Sequence, residues 1–344
     1  MNLVDPKKFK QTLVRVLLDK GVNIDVIDSL VNSLIETSLK GVDSHGINLF
    51  PHYYQEISLN RLNINPNLKF TQNSNAVATL DAVNTLGHYA GEKSMKKAIQ
   101  IAKKNGVGIV SVKNSTHFGA AGYFTNLAAK KGMIGISFTN TEALINAFNS
   151  TEKFFGTNPF CFSAPIKGED PYCLDMATSI VPWNKVKNYR RQNQPLEQGW
   201  AYDDKGLPIT DPHQAFSLAN IGGYKGFGLS MVIEILCSGL TLGPLSKDIF
   251  PLYDDKIDSE RQISHFFMAI NISDFVDSKL FNLYMKDMIT RIRQLPPSSN
   301  EKVMVAGDKE KTKLKQRIVN GIPIDDIKFN EFISISPLFK STLV

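Results

Sequence analysis

Apolar residues recur every three or four positions through the first forty residues, then gather into short β-branched runs from about residue 76 onward. The first pattern, carried by Phe9, Leu13, Val16 and Leu17, predicts a helix with one buried stripe. A second helix carries Val26, Leu30, Val31, Leu34 and Ile35, with Asn23 or Asp25 as its cap. It should end near Gly41, which places Ser44-His45-Gly46 on a loop beyond its C-terminus. The run Asn63-Ile64-Asn65-Pro66-Asn67 reads as a connector between domains.

The later pattern predicts strands over residues 77–80, 107–112, 134–139 and 265–272, of which 107–112 is richest in β-branched side chains. Helices are expected over 91–104, 120–131, 229–240 and 275–295, the last with Met285, Met288, Ile289 and Ile292 on one face. Residues 160–166 and 172–176 form a hairpin around Gly168-Glu169-Asp170. The segment 184–213 is polar and turn-rich, an excursion of the kind that carries function or meets a partner subunit. The tail, 309–335, reads as a charged helix and a short closing segment. There are no internal repeats, and the class is α/β or mixed α+β.

Composition alters this picture little. With 344 residues, 42% of them hydrophobic, the chain can bury one large core or two moderate ones. A net charge of +6 and a pI near 9.0 would suit an anionic partner. The basic residues are interleaved with acidic and apolar ones, however, and no nucleic-acid motif occurs, so nucleic acid is not expected as a partner. Cys161, Cys173 and Cys237 show no paired spacing, which argues against a disulfide framework and a zinc site. They read as small buried side chains in a reducing compartment. The N-terminus is too polar for a signal peptide, and no apolar run approaches the ~18 residues of a membrane span. A soluble, cytoplasmic protein without a membrane partner or a metal is expected.

Chemistry enters with histidine, whose ordinary pKa lies nearest neutrality. Of six in the chain, two sit in short Ser/Thr-His-Gly contexts: His45 in Ser44-His45-Gly46 and His117 in Ser115-Thr116-His117-Phe118-Gly119. His45 follows a helix end, where a loop histidine often does no more than bond the backbone. His117 follows a strand directly, the place where α/β active sites gather, and a Gly/Ala-rich stretch comes after it. His52 lies close enough in sequence to share the His45 pocket. Asp175, a carboxylate ending an apolar run, either caps the next segment or orients a catalytic histidine. Gly222-Gly223-Tyr224-Lys225-Gly226-Phe227-Gly228 either cradles a phosphate beside Lys225 or makes a tight turn for helix packing. Neither a P-loop nor a G-x-G-x-x-G after a strand is present. Gly156-Thr157-Asn158-Pro159 is a sharp turn. These residues alone describe an α/β enzyme using acid–base catalysis on or beside a phosphate-bearing ligand.

Six stretches in order carry a resemblance. They are Asp43-Ser44-His45-Gly46, Ser115 to Gly119, Thr139-Asn140-Thr141, Gly156 to Pro159, Asp175-Met176-Ala177 and Gly222 to Leu229. Together with residues 199–212 they resemble the malate/L-lactate dehydrogenase family, which is distinct from the Rossmann-type lactate and malate dehydrogenases. The family also takes in ureidoglycolate and sulfolactate dehydrogenases, diketogulonate reductases and a cyclic imine reductase. The resemblance implies a homodimer with a non-Rossmann nicotinamide-binding fold. It implies a helical domain made from residues 1–72 and 273–344 and a cofactor-binding domain from 73–272. NAD or NADP would be held by Thr141, Asp175, Met176, Ala177, Lys225, Gly226 and, in a degraded match to a Pro-Gly-Glu element, Ala306, Gly307 and Asp308. His45 and His117 would line the substrate, with Asp175 paired to His45 in some members and Ser44 beside it.

One departure stands out. The family pattern resembles S-H-G-x-x-R-x-P-R, whereas here Leu49 and His52 occupy the two arginine positions. Leucine cannot offer the bidentate fork that grips a carboxylate. The resemblance implies hydride transfer between nicotinamide and a 2-hydroxy or 2-oxo acid, with a substrate that is more apolar or bound by its carboxylate elsewhere. The alternatives are reduction of a cyclic imine carboxylate and a homologue whose catalysis Leu49 has impaired.

Overall fold

The computed structural model describes residues 1–252 and 259–344. The chain opens with β1 (Asn2–Val4) and three helices, α1 (Pro6–Leu18), α2 (Ile24–Leu39) and α3 (Phe50–Ser58). Of the two candidate caps for α2, Asn23 serves, accepting the Asp25 N–H; α1 is capped by Asp5, which accepts N–H bonds from Lys7 and Lys8. Next come β2 (Phe70–Gln72), β3 (Val77–Asp81), α4 (Gly87–Asn105), β4 (Val107–Ser115), α5 (Ala121–Ala129), β5 (Met133–Thr139), β6 (Ile145–Asn146), β7 (Lys153–Phe155), β8 (Phe160–Ile166) and β9 (Glu169–Met176). The remainder comprises α6 (Trp183–Arg191), β10 (Ala201–Tyr202), β11 (Pro208–Ile209), β12 (Ser217–Leu218), α7 (Tyr224–Glu234), β13 (Ile263–Asn271), α8 (Ser278–Arg293), α9 (Asp308–Asn320), β14 (Ile322–Ile324) and α10 (Asp326–Ile335).

The class is mixed α/β. A seven-stranded sheet in the order β2-β3-β4-β13-β5-β8-β9 forms the centre, and β3 with β4 is its one parallel pair. β13 enters from far along the chain and pairs with both β4 and β5. Its nearly continuous apolar run suits a strand covered on both faces. On one face, Phe124 and Ala128 of α5 and Met95, Ala98 and Ala102 of α4 meet Leu80, Val110, Val112 and Phe267. The helix presses close: a Cβ on Gly108 would lie 2.1 Å from the Ala98 carbonyl oxygen. The opposite face buries Phe138 and Phe266 under Ile233 and Cys237.

A separate core joins the two chain ends. Phe9, Leu13, Leu30 and Phe50 pack with Phe329, Phe332 and Phe339, and β1 pairs with β14. Met285 and Ile289 of α8 pack on Ala164 and Ile166 at the sheet edge, while residues 322–339 join the N-terminal helices.

Three local expectations need correction. α4 begins at Gly87, a turn before residue 91, because the Gly87 N–H is held at 3.0 Å by Thr116 Oγ1, a partner distant in sequence. The polar excursion 184–213 contains α6, whose Val186 packs with Trp200 and Leu218 beside a five-stranded sheet in the order β11-β10-β12-β6-β7. Lys225, Gly226 and Gly228 lie inside α7, which already starts at Tyr224. Among the described residues no helix is long and apolar enough to cross a membrane.

Candidate active site

Each residue of Ser115 to Gly119, at the end of β4, is fixed by a neighbour distant in sequence or by its own backbone geometry. Ser115 Oγ lies 2.8 Å from Nε2 of buried His265, whose Nδ1 meets Thr139 Oγ1 at 2.7 Å. Thr116 ties the strand end to α4, and Phe118 stacks on His265 with ring centres 4.7 Å apart. Gly119 has φ +75°, and a Cβ there would lie 2.6 Å from His88 Nε2, so only glycine fits. That leaves His117 as the polar side chain that this stretch gives to the large cavity beside the sheet. Its Nδ1 sits 2.7 Å from Tyr53 Oη and accepts the Gly119 N–H at 3.4 Å.

The terminal lobe delivers the second histidine. Arg317 of α9 donates to Asp43 Oδ2 at 2.9 Å and to the Ser38 carbonyl at 2.6 Å, which holds the loop after α2. A Cβ on Gly46 would meet Ser38 Oγ at 2.1 Å, and that oxygen accepts the Ile47 N–H. Ser44 Oγ is 2.9 Å from His45 Nδ1, and Asn184 of α6 reaches the Ser44 carbonyl at 3.4 Å. The His45 and His117 rings stack with centres 5.8 Å apart and planes 27° from parallel.

Burial lowers the pKa of His45 to about 4. Burial also holds His117 well below its ordinary value, with the neighbouring His45 and the Arg261 guanidinium adding repulsion. Both imidazoles are therefore neutral at pH 7. Asp175 Oδ2 accepts the Gly122 N–H at 2.7 Å, capping the first turn of α5. Among the described residues it makes no hydrogen bond to either histidine. The surrounding protein raises its pKa to about 6 although the carboxylate faces the open cavity; the Gly122 N–H and Lys40 pull the other way.

The cavity has a volume of about 1830 Å³. Ser44, His45, His117, Thr141, Asp175, Ala177, Ala306 and Gly307 all line it. Met176 flanks it without contributing to the wall. Asp308 turns away, gripped by Arg293 at 2.6 and 3.0 Å. Leu49 is buried in the terminal core, and His52 on α3 lies outside the lining. Lys225 and Gly226 are also outside it, and Lys225 is exposed.

Several residues in the wall or directly behind it carried no sequence signal of their own. Tyr53 continues the Phe50–Ile57 stripe of α3 and reads as core. Lys187 is one turn past Asn184 on α6. Glu142 is pinned by Arg261 Nη2 at 2.6 Å.

The walls fit a nicotinamide dinucleotide. The volume exceeds the roughly 300–1,000 Å³ of a drug-sized site. Bare backbone reaches the cavity at Gly119, Gly122 and Gly307, where side chains would intrude: a Cβ on Gly122 would stand 3.0 Å from Asp175 Oδ2 and 3.1 Å from Cys173 Sγ. The N-terminal ends of α5 and α9 both border it, which favours phosphate.

Comparison with known proteins agrees with this geometry. The sequence profile of the malate/L-lactate dehydrogenase family matches residues 4–332. A malate dehydrogenase of Pyrococcus abyssi is 36% identical over 323 residues, covering 91% of this chain and 88% of that one. A ureidoglycolate dehydrogenase (NAD(+)) of Escherichia coli is 31% identical over 326 residues, covering 94% and 93%. The crystal structure of malate dehydrogenase from Entamoeba histolytica superposes with a TM-score of 0.92 at 31% identity, covering 98% of each chain.

Proposed function

Because the chain belongs to the malate/L-lactate dehydrogenase family, and is thus an oxidoreductase acting on CH–OH groups, we propose that it interconverts a 2-hydroxy acid and its 2-oxo acid using NAD or NADP. One observation carries the reading: two neutral imidazoles, each with a hydroxyl on Nδ1, stacked 5.8 Å apart in the wall of a cavity that fits a dinucleotide. When bound, NAD or NADP would supply the hydride chemistry at the substrate carbon. His117 and His45 exchange the hydroxyl proton, acting as base in the oxidation and, once protonated, as acid in the reduction. Their low pKa values favour oxidation near neutrality and make the reduction acid-dependent. Thr141, Asp175, Ala177, Ala306 and Gly307 would hold the cofactor, with Met176 behind the wall between Asp175 and Ala177, and Asp308 steadies the turn before α9 through its bond from the Val305 N–H.

The substrate carboxylate needs a cation, and position 49 cannot provide one. Lys187 is the candidate: it faces the cavity from α6, whose Asn184 touches the Ser44 carbonyl beside His45. Replacing it by methionine should raise KM for a 2-oxo acid about tenfold or more and change kcat less. A homodimer completes the reading. Tyr224, Met231, Val232 and Ile235 form an exposed apolar stripe along α7 and its π-helical extension, the kind of surface that a second copy covers. Light scattering on Met231→Asp should show dissociation to monomer. The deciding experiment titrates NADH and NADPH, then follows hydride transfer to pyruvate, oxaloacetate, larger 2-oxo acids and cyclic imine carboxylates. Binding of neither nucleotide sinks the proposal. Turnover confined to the imines would make the protein an imine reductase.

A further inference from the structure

Among the described residues neither histidine carries a carboxylate. In the familiar acid–base arrangement an aspartate on Nδ1 fixes the tautomer and stabilises the imidazolium. Here Asp175 is committed to the Gly122 N–H, and the Nδ1 partner of His117 is a phenol. We propose that Tyr53 is a positioning residue that selects which nitrogen of His117 bears the proton, so that Nε2 meets the substrate as a base. The proposal rests on the reading that His117 exchanges the substrate proton.

The two groups on Nδ1 have opposite preferences. The Gly119 N–H can only donate, so on its own it favours a lone pair on Nδ1 and a proton on Nε2, the wrong tautomer for a base. The Tyr53 hydroxyl can also accept. When it does, Nδ1–H points at Oη and Nε2 is left with its lone pair, unbonded by any described residue. The same oxygen accepts from the imidazolium after Nε2 has taken the proton. The Tyr53 hydroxyl therefore serves both directions of the reaction as an acceptor, with no movement of the ring.

The surroundings hold the phenol in place. Tyr53 is 2% exposed on α3, and its ring meets His88 edge-on at 4.9 Å. His88 is fully buried, and among the described residues neither of its ring nitrogens has a hydrogen-bond partner. It is thus a dry wall against both the phenol and Gly119. Accepting from a charged imidazolium is stronger than donating to a neutral ring, so the net effect of the hydroxyl is to raise the basicity of His117.

Tyr53→Phe keeps the ring and its packing and removes the acceptor. In the cofactor-free variant, 15N spectra of the histidine side chains should show His117 shifted toward the Nε2–H tautomer. In the oxidation direction kcat should fall about 10- to 100-fold with KM little changed, and the acidic limb of the pH–rate profile should move to lower pH. Placing 3-fluorotyrosine at 53 retains fold and size while weakening the acceptor, and should move the limb the same way by less. Unchanged tautomer populations together with an unmoved limb would overturn the proposal. If the wild-type protein turns over no hydroxy acid, the functional reading fails, while the spectra still decide the role of Tyr53.

Discussion

The two histidines reach one cavity from regions built in different ways. His117 ends a central strand whose neighbouring side chains are each locked, by His265, by Gly87 and by the close approach of Gly119 to His88. His45 rides a loop of the terminal lobe that leans on Arg317, a side chain from the far end of the sequence. The difference teaches where precision and where adjustment reside. Proton transfer depends on placement within fractions of an ångström, which a sheet end provides, whereas a loop held by the side chains of Arg317, Ser38 and Asn184 can follow a substrate.

The largest expected effect tests that contrast directly. His117→Gln should lower kcat by about a thousandfold, and His45→Gln by about ten- to a hundredfold, in steady-state oxidation assays. Equal losses would erase the distinction between the two regions. Next, Arg317→Ala should lower kcat/KM about tenfold, through KM more than kcat, because it frees the Asp43 loop without touching the sheet. A change in kcat alone would mean that the loop is as preorganised as the strand end.

A smaller effect concerns stability. His45, His88 and His265 have pKa values lowered by burial to about 4, 3 and 3. The unfolded chain, with histidines near 6.5, therefore binds more protons between about pH 3 and 6.5, and stability falls as the pH falls through that window. Urea midpoints at pH 7 and 5.5 should show this, and His88→Phe should flatten the slope by up to about 1.4 kcal/mol per pH unit. If the slope is unchanged, the sheet side owes nothing to a neutral His88. The smallest effect has the opposite sign. Asp175 is raised to about 6, so its contribution is lost as the pH rises through that value. Asp175→Asn, which can still accept the Gly122 N–H, should raise Tm slightly at pH 7 and not at pH 4.

Local pattern made much of the fold legible. The stripe of Phe9, Leu13, Val16 and Leu17 and the cap at Asn23 follow from spacing and side-chain chemistry within a few residues. The hairpin of β8 and β9 was also legible, although its turn is tighter than expected: Ile166 pairs with Glu169, leaving Lys167 and Gly168 between them. What could not be read depends on contacts distant in sequence. The insertion of β13 between β4 and β5 is one case, and the Thr116 cap that starts α4 early is another. The glycines at 222–228 looked like a phosphate loop because backbone freedom serves a loop and a crowded helix start alike. Gly226 is there because a Cβ would strike the Ile221 carbonyl. At the site, the two histidines were visible by composition. Tyr53 was not, since a phenol on a helical stripe is written the same way whether it fills space or holds an imidazole.

The pairing of β1 with β14 bears on how the protein is made. Leu13, Leu30 and Phe50 leave the ribosome well before their packing partners Phe329, Phe332 and Phe339. Helices α1 to α3 must therefore wait, apolar faces uncovered, until residues 322–339 have emerged, while the central sheet already has β2–β5, β8, β9 and β13 in hand. A nascent chain stalled before residue 322 would carry His117 in place and His45 adrift, with an exposed surface inviting chaperones.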